Sequence, residues 1–263
     1  MIDLHCHLLP GVDDGPKSME DALEMARLAV KNGITHAVIT PHITPGRYDN
    51  TLGSLSEVYK EFSRSLEEHH IPLQTALAAE VRLDPVIINM AESGTVPFLG
   101  DYDGQQLLLL EFPYTSVPPG ALELAQWLIK RRIKPVIAHP ERHRTIINNV
   151  KTLEPYLKAG CLVQITAGSL DGTFGDAPMK TAIKLLELGW VTVMALCTAY
   201  CPCRICTDGD GVTATGSNAR RTPGVAVAPN LIPYGSTVEV PGYGVAVADD
   251  TGGAMRRSAR RGV

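Results

Sequence analysis

The first 195 residues alternate between short apolar runs and longer amphipathic stretches, and this alternation constrains the fold more than any other feature. The runs are rich in Val, Ile and Leu and are only a few residues long, which is typical of buried parallel strands. They span Ile2–His5, His36–Thr40, Leu73–Ala79, Gln105–Glu111, Pro135–Ala138, Cys161–Thr166 and Val191–Ala195. Strands that alternate with helices predict an α/β fold with a right-handed, barrel-like sheet, whose chemistry lies at the carboxyl ends of the strands.

Helix signals separate the predicted strands, and the clearest lies in "SMEDALEMARLAVKNG". Ser18 is positioned to cap this helix, Asp21 follows as a weak capping-box partner, and Gly33 ends it. The predicted buried stripe comprises Ala22, Leu23, Met25, Ala26 and Ala29. The segments "SLSEVYKEFSRSLEEHH", "GALELAQWLIKRR" and "APMKTAIKLLELG" follow the same helical period.

The pattern changes after about residue 196, where Gly and Pro become frequent and long helical patterns stop. The segments "GVAVAP" and "STVEVPGYGVAVAD" predict short strands, so residues 196–263 are interpreted as a small all-β domain. The basic tail "MRRSARRGV" is expected to be a solvated end. We therefore predict two domains, residues 1–195 and residues 196–263.

Charge and leader signals limit the possible functions and locations. The formal net charge of −4 argues against a nucleic-acid-binding protein, which would carry a basic face. No run of about 18 apolar residues occurs, so no membrane span is expected. The start, Met1-Ile2-Asp3, lacks the basic and apolar regions of a signal peptide, so we expect a folded cytoplasmic protein.

Imidazoles and carboxylates recur where the predicted strands end. They are His5, His7, His42, Glu80, Glu111 and His139. In a barrel these side chains converge on one mouth, where unpaired carboxylates and imidazoles would repel each other and lose hydration. Divalent metals remove this cost by supplying positive charge, so the pattern predicts a metal cluster.

The first strand shows how such a site begins. His5 and His7 are two residues apart, which points both side chains the same way at a strand end. Cys6 between them should therefore point away from the site, into the core. Asp13, in the following "HLLPGVDDG" turn, is a candidate catalytic-site carboxylate, either as a metal ligand or as a partner of one.

The motifs "IDLHCHLLPGVDDG", "ITPH", "AAE", "LLLLEFP" and "IAHPER" resemble the manganese-dependent, PHP-superfamily protein-tyrosine phosphatases of Gram-positive capsule and exopolysaccharide loci. The resemblance covers about residues 1–190 and implies a distorted seven-stranded β/α barrel with up to three Mn²⁺ ions. It makes all six strand-end residues metal ligands and Arg142 a phosphate-binding arginine. It also implies a cytoplasmic enzyme whose substrate is a phosphotyrosine protein, a bacterial tyrosine kinase.

The expected chemistry needs no cysteine nucleophile. Neighbouring metals activate water for in-line attack on phosphorus and neutralise charge on the phosphoryl oxygens. Arg142 would then form paired hydrogen bonds with the phosphate. The loop of cysteine-dependent phosphatases, a Cys and an Arg separated by five residues, does not occur in the sequence.

The sequence departs from this family after the seventh predicted strand. The family has an Asp-Ala-His triplet there that completes the metal site, whereas this chain continues with Leu196, Cys197, Thr198 and Ala199. We therefore expect a barrel that is incomplete at its C-terminal end, fewer metal ions and impaired activity. Cys197 is a poor replacement ligand, because soft sulfur suits manganese badly.

The second half resembles the 3D domain, a double-psi β-barrel of cell-wall proteins, through "TAYCPCRICTDGDGVTATG" and "GVAVAPNLIPYGSTVEVPGYGVAVADDTGGAM". This resemblance covers about residues 193–255 and implies that Asp249 and Asp250 mark the site. The sequence ends before the last strand of the family pattern, so we expect a truncated domain. The alternative function is thus a peptidoglycan-cleaving or glycan-binding protein, with a carboxylic acid protonating a glycosidic oxygen.

Three further hypotheses concern the second half and the chain as a whole. Cys197, Cys201, Cys203 and Cys206 lie within ten residues, but this tight spacing differs from that of a zinc knuckle and argues against a Zn²⁺ site. The cytoplasmic and cell-wall expectations conflict, and the predicted joint falls within a strand, so a fused coding sequence is one hypothesis. A metal-stabilised interaction module without catalysis is another. The phosphatase ranks first because it has six ligand positions.

Overall fold

The computed structural model describes residues 2–192 and the backbone of residues 224–226, 237–240 and 244–250. The strands are β1 (Ile2–Cys6), β2 (His36–Ile39), β3 (His42–Ile43), β4 (Gln74–Leu77), β5 (Glu80–Arg82), β6 (Gly100–Tyr102), β7 (Gln105–Glu111), β8 (Ile133–Ala138), β9 (Leu162–Gln164), β10 (Gly224–Ala226), β11 (Thr237–Val240) and β12 (Gly244–Asp250). The helices are α1 (Met19–Lys31), α2 (Leu52–Glu68), α3 (Val86–Glu92), α4 (Ala121–Lys130), α5 (Arg144–Asn148), α6 (Glu154–Ala159), α7 (Ala167–Leu170) and α8 (Asp176–Glu187). Two short 3-10 helices cover Pro140–Arg142 and Val150–Leu153.

The strands form three sheets. The first is parallel, with the order β1-β2-β4. The second has the parallel order β3-β5-β7-β8-β9, and β6 pairs antiparallel with β7. The third has β12 in the centre, parallel to β10 and antiparallel to β11. The predicted α/β class and short β segments in the second half are thus present.

The structure differs from a single barrel-like sheet because an additional short strand follows each of two predicted strands. The second apolar run contains β2, and β3 begins after it, beyond Pro41, a residue without a backbone donor. The third run contains β4, and Glu80 begins β5 after it instead of ending the predicted strand. Closure into seven strands stays a prediction, since residues 193–195 of the seventh apolar run lie outside the described part of the chain.

Helix α1 illustrates how the local sequence sets its boundaries. The Ser18 hydroxyl accepts a hydrogen bond from the Asp21 backbone N–H at 3.2 Å, and Gly33 has a φ of +84° just after the helix. Ala22, Leu23, Ala26 and Ala29 are buried as predicted. The prediction was wrong for Met25, which is exposed because it lies beside the stripe and not on it.

One continuous hydrophobic core joins the helices to both parallel sheets of residues 2–192. Its fully buried side chains include Phe62 of α2, Leu108 and Leu110 of β7, and Ile137 of β8. Cys6 is also buried in this core, as its place between two histidines predicted. The core fixes the carboxyl ends of the strands relative to each other.

Some expectations fall at or beyond the limits of the described residues. The four clustered cysteines lie outside them, and of Asp249 and Asp250 only the backbone positions on β12 are described. Among the described residues, no helix combines the length and apolar character needed to cross a membrane.

Candidate metal centre

The six predicted side chains are carried by strand ends at one edge of the two parallel sheets. His5 lies on β1 and His7 follows it, His42 begins β3, Glu80 begins β5, Glu111 ends β7 and His139 follows β8. The register places His42 opposite Glu80, and Arg82 opposite Glu111. Strand pairing thus brings together residues that are far apart in the chain.

Glu80 lies at the middle of this group and is only 1% exposed. Its Oε2 atom is 3.2 Å from His5 Nε2, 3.5 Å from His7 Nε2 and 3.2 Å from His42 Nδ1. Its Oε1 atom accepts a 2.6 Å hydrogen bond from His139 Nε2. One carboxylate therefore contacts four imidazoles. Glu111 Oε2 lies 3.9 Å from His42 Nδ1 and extends the cluster.

The side chains form three overlapping groups suited to metal ions. They are His5, His7 and Glu80; His7, Asp14 and His42; and His42, Glu80 and Glu111. Within each group, one ligand atom from each residue lies within 4.8 Å of the others. Asp14 is 58% exposed, and its Oδ1 lies 3.6 Å from His42 Nε2.

Hydrogen bonds from outside the cluster orient the two histidines of the first strand. His7 Nδ1 donates to Asp13 Oδ2 at 2.6 Å, and His5 Nδ1 donates to Gln164 Oε1 at 2.9 Å. Asp13 also accepts from the backbone N–H groups of His42 and Gly15. Both rings therefore present Nε2 to the centre, which is how outer partners commonly orient histidine ligands.

The cluster has a strong preference for a positive charge. Burial disfavours an imidazolium at His7, but hydrogen bonds and charges from Asp13 and Glu80 outweigh it and raise the pKa of His7 to about 10. Burial alone would raise the pKa of Glu80, yet the imidazoles of His5 and His139 hold it well below its usual value. Because His5 Nε2 and His7 Nε2 lie only 3.4 Å apart, a proton or another cation is needed between their lone pairs.

Burial also acts on the remaining members of the cluster. Burial lowers the pKa of His139 to about 4, despite the opposing charge of Glu80. Burial, followed by the charge of Glu80, raises the pKa of Glu111. His42 Nδ1 is buried and makes no hydrogen bond. An unpaired nitrogen beside two carboxylates fits a metal ligand better than a structural histidine.

Two arginines border the centre. Arg82 Nη1 donates to Glu111 Oε2 at 3.4 Å. Arg142 lies in the 3-10 turn that follows His139, and its guanidinium carbon is 4.7 Å from the centroid of the Phe174 ring. The charge of Arg142 partly opposes the rise in the pKa of Glu111, and it adds to the lowering of the pKa of His139 that burial causes.

A buried carboxylate in the turn that carries Arg142 anchors this turn to the start of α7. Glu141 is completely buried and accepts hydrogen bonds from the Thr166 N–H at 2.8 Å and the Ser169 hydroxyl at 2.6 Å. His139 has a left-handed φ of +31°, which is uncommon for a residue other than glycine. The turn is therefore tied to the start of α7 while it holds His139 in a restricted conformation.

The structure brings His5, His7, His42, Glu80, Glu111 and His139 together, with Asp13 in contact with His7. Their roles as ligands stay a prediction. Sequence reasoning missed Asp14, Gln164 and Arg82. Asp14 is adjacent to Asp13 in the turn, and Gln164 is a polar residue inside a buried apolar run. These two features of the sequence weakly indicate that both residues belong to the site.

Comparison with known proteins gives two matching regions. The family described as "Capsular polysaccharide synthesis, CpsB/CapC" matches residues 1–199, and the 3D domain matches residues 224–260. The chain is 35% identical over 195 residues to tyrosine-protein phosphatase YwqE of Bacillus subtilis, covering 74% of this chain and 76% of that protein.

Two further likenesses are informative. A crystal structure from a study of YwqE from Bacillus subtilis and CpsB from Streptococcus pneumoniae, described as unique metal-dependent tyrosine phosphatases, has a TM-score of 0.66. It is 34% identical in sequence, over 73% of this chain and 76% of that one. The putative cell wall shaping protein YabE of Bacillus subtilis is 50% identical over 54 residues, 19% of this chain but 13% of that protein.

Proposed function

The chain belongs to the CpsB/CapC family of capsular polysaccharide synthesis, and from this premise we propose that it is a metal-dependent phosphatase that hydrolyses phosphotyrosine on proteins. The relatives named as tyrosine-protein phosphatases match the longer first region. They support this function over the cell-wall alternative for the chain as a whole.

One observation carries the proposal: the two Glu80 oxygens lie within 3.5 Å of four imidazole nitrogens, which come from three different segments of the chain. Five buried or half-buried histidines and carboxylates around one carboxylate are costly without a bound cation. Nitrogen and oxygen donors of this kind suit divalent manganese, zinc or iron. The donor set therefore fits the metal cluster that the family implies.

The residues that would hold the ions are His5, His7, Asp14, His42, Glu80, Glu111 and His139. Bound divalent ions would supply Lewis acidity, which activates water and neutralises charge on phosphoryl oxygens. We propose Mn²⁺ as the metal and fewer than three ions, since the Asp-Ala-His triplet is replaced in the sequence after residue 195.

The chain's own cations would position the phosphate. Arg142 is half-buried beside His139, and a guanidinium offers two parallel donors that match phosphate oxygens. Arg82 is bonded to Glu111 only at 3.4 Å, so it can also turn one N–H group toward an incoming anion. Asp13 keeps the His7 ring oriented by accepting a hydrogen bond from its Nδ1 atom.

We propose a cytoplasmic bacterial tyrosine kinase, acting in capsule or exopolysaccharide regulation, as the physiological substrate. The proposal rests on the capsule-synthesis family of the first region and on the names of its relatives. A protein substrate is consistent with an open edge of the sheet, where Asp14 is largely exposed.

The test is phosphate release from a phosphotyrosine peptide by the full chain, with Mn²⁺ and after chelation. We expect Mn²⁺-dependent turnover that falls at least about 100-fold in Glu80→Gln, because the shared carboxylate is lost. Glu67→Gln, on the exposed face of α2, is the matched control and should retain wild-type turnover. Absence of turnover with saturating Mn²⁺ would contradict the proposal.

The match of residues 224–260 favours one second candidate, a glycan-directed activity. We propose Asp249 and Asp250, at the end of β12, as its acidic residues. Binding to purified peptidoglycan that Asp250→Asn weakens would support this function. Lack of retention on wall material would dispose of it.

A further inference from the structure

An open groove of about 490 Å³ lies beside the candidate metal centre, between the beginnings of α3 and α4. Both helices follow the carboxyl ends of strands that contribute to the centre: β5 begins with Glu80 and ends with Arg82, and β7 ends with Glu111. The groove therefore opens at the same edge of the second sheet. We call it the α3–α4 groove, and its apolar surface comes mainly from Ile88, Leu124 and Trp127.

Backbone hydrogen bonds join the groove to the centre. Leu83, which lines the groove, donates its N–H to the carbonyl oxygen of Glu111 at 2.8 Å. Pro113, on another wall, accepts a 2.6 Å hydrogen bond from His143 Nε2, one residue after Arg142. If the phosphate of a substrate lies between Glu111 and Arg142, the residues next to the phosphotyrosine in that substrate therefore lie beside the groove.

The groove is preorganised and apolar, with an acidic rim. Four prolines line it, at positions 85, 113, 118 and 119, and their fixed φ angles limit movement of the walls. Ile88, Leu124 and Trp127 are each only partly buried, so apolar surface is available. Among the residues that line the groove, Asp84 and Glu123 are the charged ones, and neither is matched there by a cation.

We propose that the α3–α4 groove binds an apolar side chain of the phosphoprotein substrate close to the phosphotyrosine, with a neighbouring Lys or Arg facing Asp84 and Glu123. This inference rests on the proposed phosphatase function and names a sequence preference for it. Burial of a Leu-sized side chain supplies the affinity, and the carboxylates select a basic neighbour. A small aryl phosphate has nothing to place in the groove.

The test measures the binding of two peptides of equal length to the full chain with Mn²⁺, by calorimetry and by tryptophan fluorescence. Both peptides carry the non-hydrolysable phosphonomethyl-phenylalanine in place of phosphotyrosine. One peptide has Leu and Lys near this residue, and the other has Ser at both positions. We expect about tenfold tighter binding of the Leu-Lys peptide, as burial of an aliphatic side chain implies. Equal affinities for the two peptides would overturn the inference.

Variants of the groove sharpen this test. Ile88→Asp should remove the tenfold preference, and Glu123→Lys, at an exposed position, should weaken Leu-Lys binding about threefold. Glu24→Lys, exposed on α1, is the matched charge control. If both Ile88→Asp and Glu123→Lys still bind the Leu-Lys peptide more tightly than the Ser peptide by the wild-type factor, the inference is overturned. Glu123 is exposed, so Glu123→Lys still gives a valid test if Ile88→Asp misfolds.

Two readouts separate the groove from the proposed phosphatase function. Hydrolysis of p-nitrophenyl phosphate with Mn²⁺ tests the centre alone, and it should be unchanged in the control variant Glu24→Lys. Turnover of this small substrate combined with equal peptide affinities would refute only the groove assignment. Analytical ultracentrifugation tests whether a second copy of the chain occupies the groove instead. If the wild type is a dimer and Ile88→Asp is a monomer, a substrate-binding role of the groove is contradicted.

Discussion

At the scale of single residues, the candidate metal centre depends on individual side chains that each supply one ligand atom. Asp14 shares the second ligand group with His7 and His42, although it is largely exposed. Exposure makes its contribution separable from folding, because its replacement leaves no buried cavity or unpaired buried atom.

Replacement of Asp14 by Asn should weaken metal binding without unfolding the protein. The change keeps the shape but removes a negative charge, so we expect at least about tenfold weaker Mn²⁺ binding at one site. Asp103→Asn is the control, because Asp103 is exposed with a left-handed φ of +54° that Asn tolerates equally well. Equal Mn²⁺ affinity in the two variants, measured by calorimetry, would remove Asp14 from the site.

Metal binding should become tighter as pH rises. In the metal-free protein His7 has a pKa of about 10, raised from 6.5, so its charge stabilises the fold fully below pH 6.5. This contribution is lost as pH rises through about 10. A metal ligand must be the neutral imidazole, so Mn²⁺ displaces this proton and its affinity should rise about tenfold per pH unit across the window.

Calorimetry in buffers of different ionisation enthalpy counts the protons released. We expect about one proton from His7 near neutral pH in the wild type. Asp13→Asn should release less than the wild type, since it replaces a charged acceptor that raises the pKa of His7 by a neutral one. A Mn²⁺ affinity that is independent of pH would show that His7 is not a ligand.

The proximity of the strand-end residues was predictable, because their spacing and residue types place metal-binding side chains at the ends of apolar runs. His5 and His7 are two apart, and His42, Glu80 and Glu111 each lie at a boundary of an apolar run. Gln164 was only weakly indicated as a member of the site, and Arg82 was not predictable. Their roles arise from pairing of β9 with β8 and of β5 with β7, which local sequence does not specify.

At the scale of elements, the turn after β1 depends on close approach at Gly15. A Cβ atom there would lie 2.8 Å from the His7 carbonyl oxygen and 3.0 Å from Asp13 Oδ1. The Gly15 N–H also donates to Asp13 Oδ1 at 2.9 Å. The turn thus positions Asp13 against His7, and only glycine fits.

Gly15→Ala should destabilise the protein by about 1–3 kcal/mol and weaken metal binding, because overpacking displaces His7 and Asp13. Gly53→Ala is the control within α2, where the added Cβ would meet only Thr51 Oγ1 at 3.7 Å. It should stabilise the protein by about 0.5–1 kcal/mol. Urea denaturation followed by circular dichroism measures both, and a harmless Gly15→Ala would contradict the account of the turn.

Elements with long periods were predictable, whereas short ones were not. Helices α1, α2, α4 and α8 follow the predicted period and bury apolar stripes. Helices α3 and α5 to α7 have seven residues or fewer, too short for the period to stand out. The divisions at Pro41 and before Glu80 follow from the hydrogen-bond partners that each strand finds in the folded sheet.

At the scale of the whole molecule, the two-domain division at residues 195 and 196 stays a prediction. Residues 2–192 contain a continuous core, with Leu8, Phe62 and Leu108 completely or almost completely buried. A segment with its own core is expected to resist proteolysis by itself.

Limited proteolysis of the full chain should therefore leave a resistant fragment that ends near residue 195. Mass spectrometry of the fragment gives the boundary, and Mn²⁺ should slow its further digestion, since a ligand that binds the folded state stabilises it. A full-length chain that resists digestion as one unit would contradict the division and the hypothesis of a fused coding sequence.

The most direct measurement of the central claim is an anomalous difference map, recorded at the manganese absorption edge from crystals grown with Mn²⁺. The account predicts peaks within the cluster formed by His5, His7, Asp14, His42, Glu80 and Glu111. A map at saturating Mn²⁺ with no peak among these side chains would contradict it.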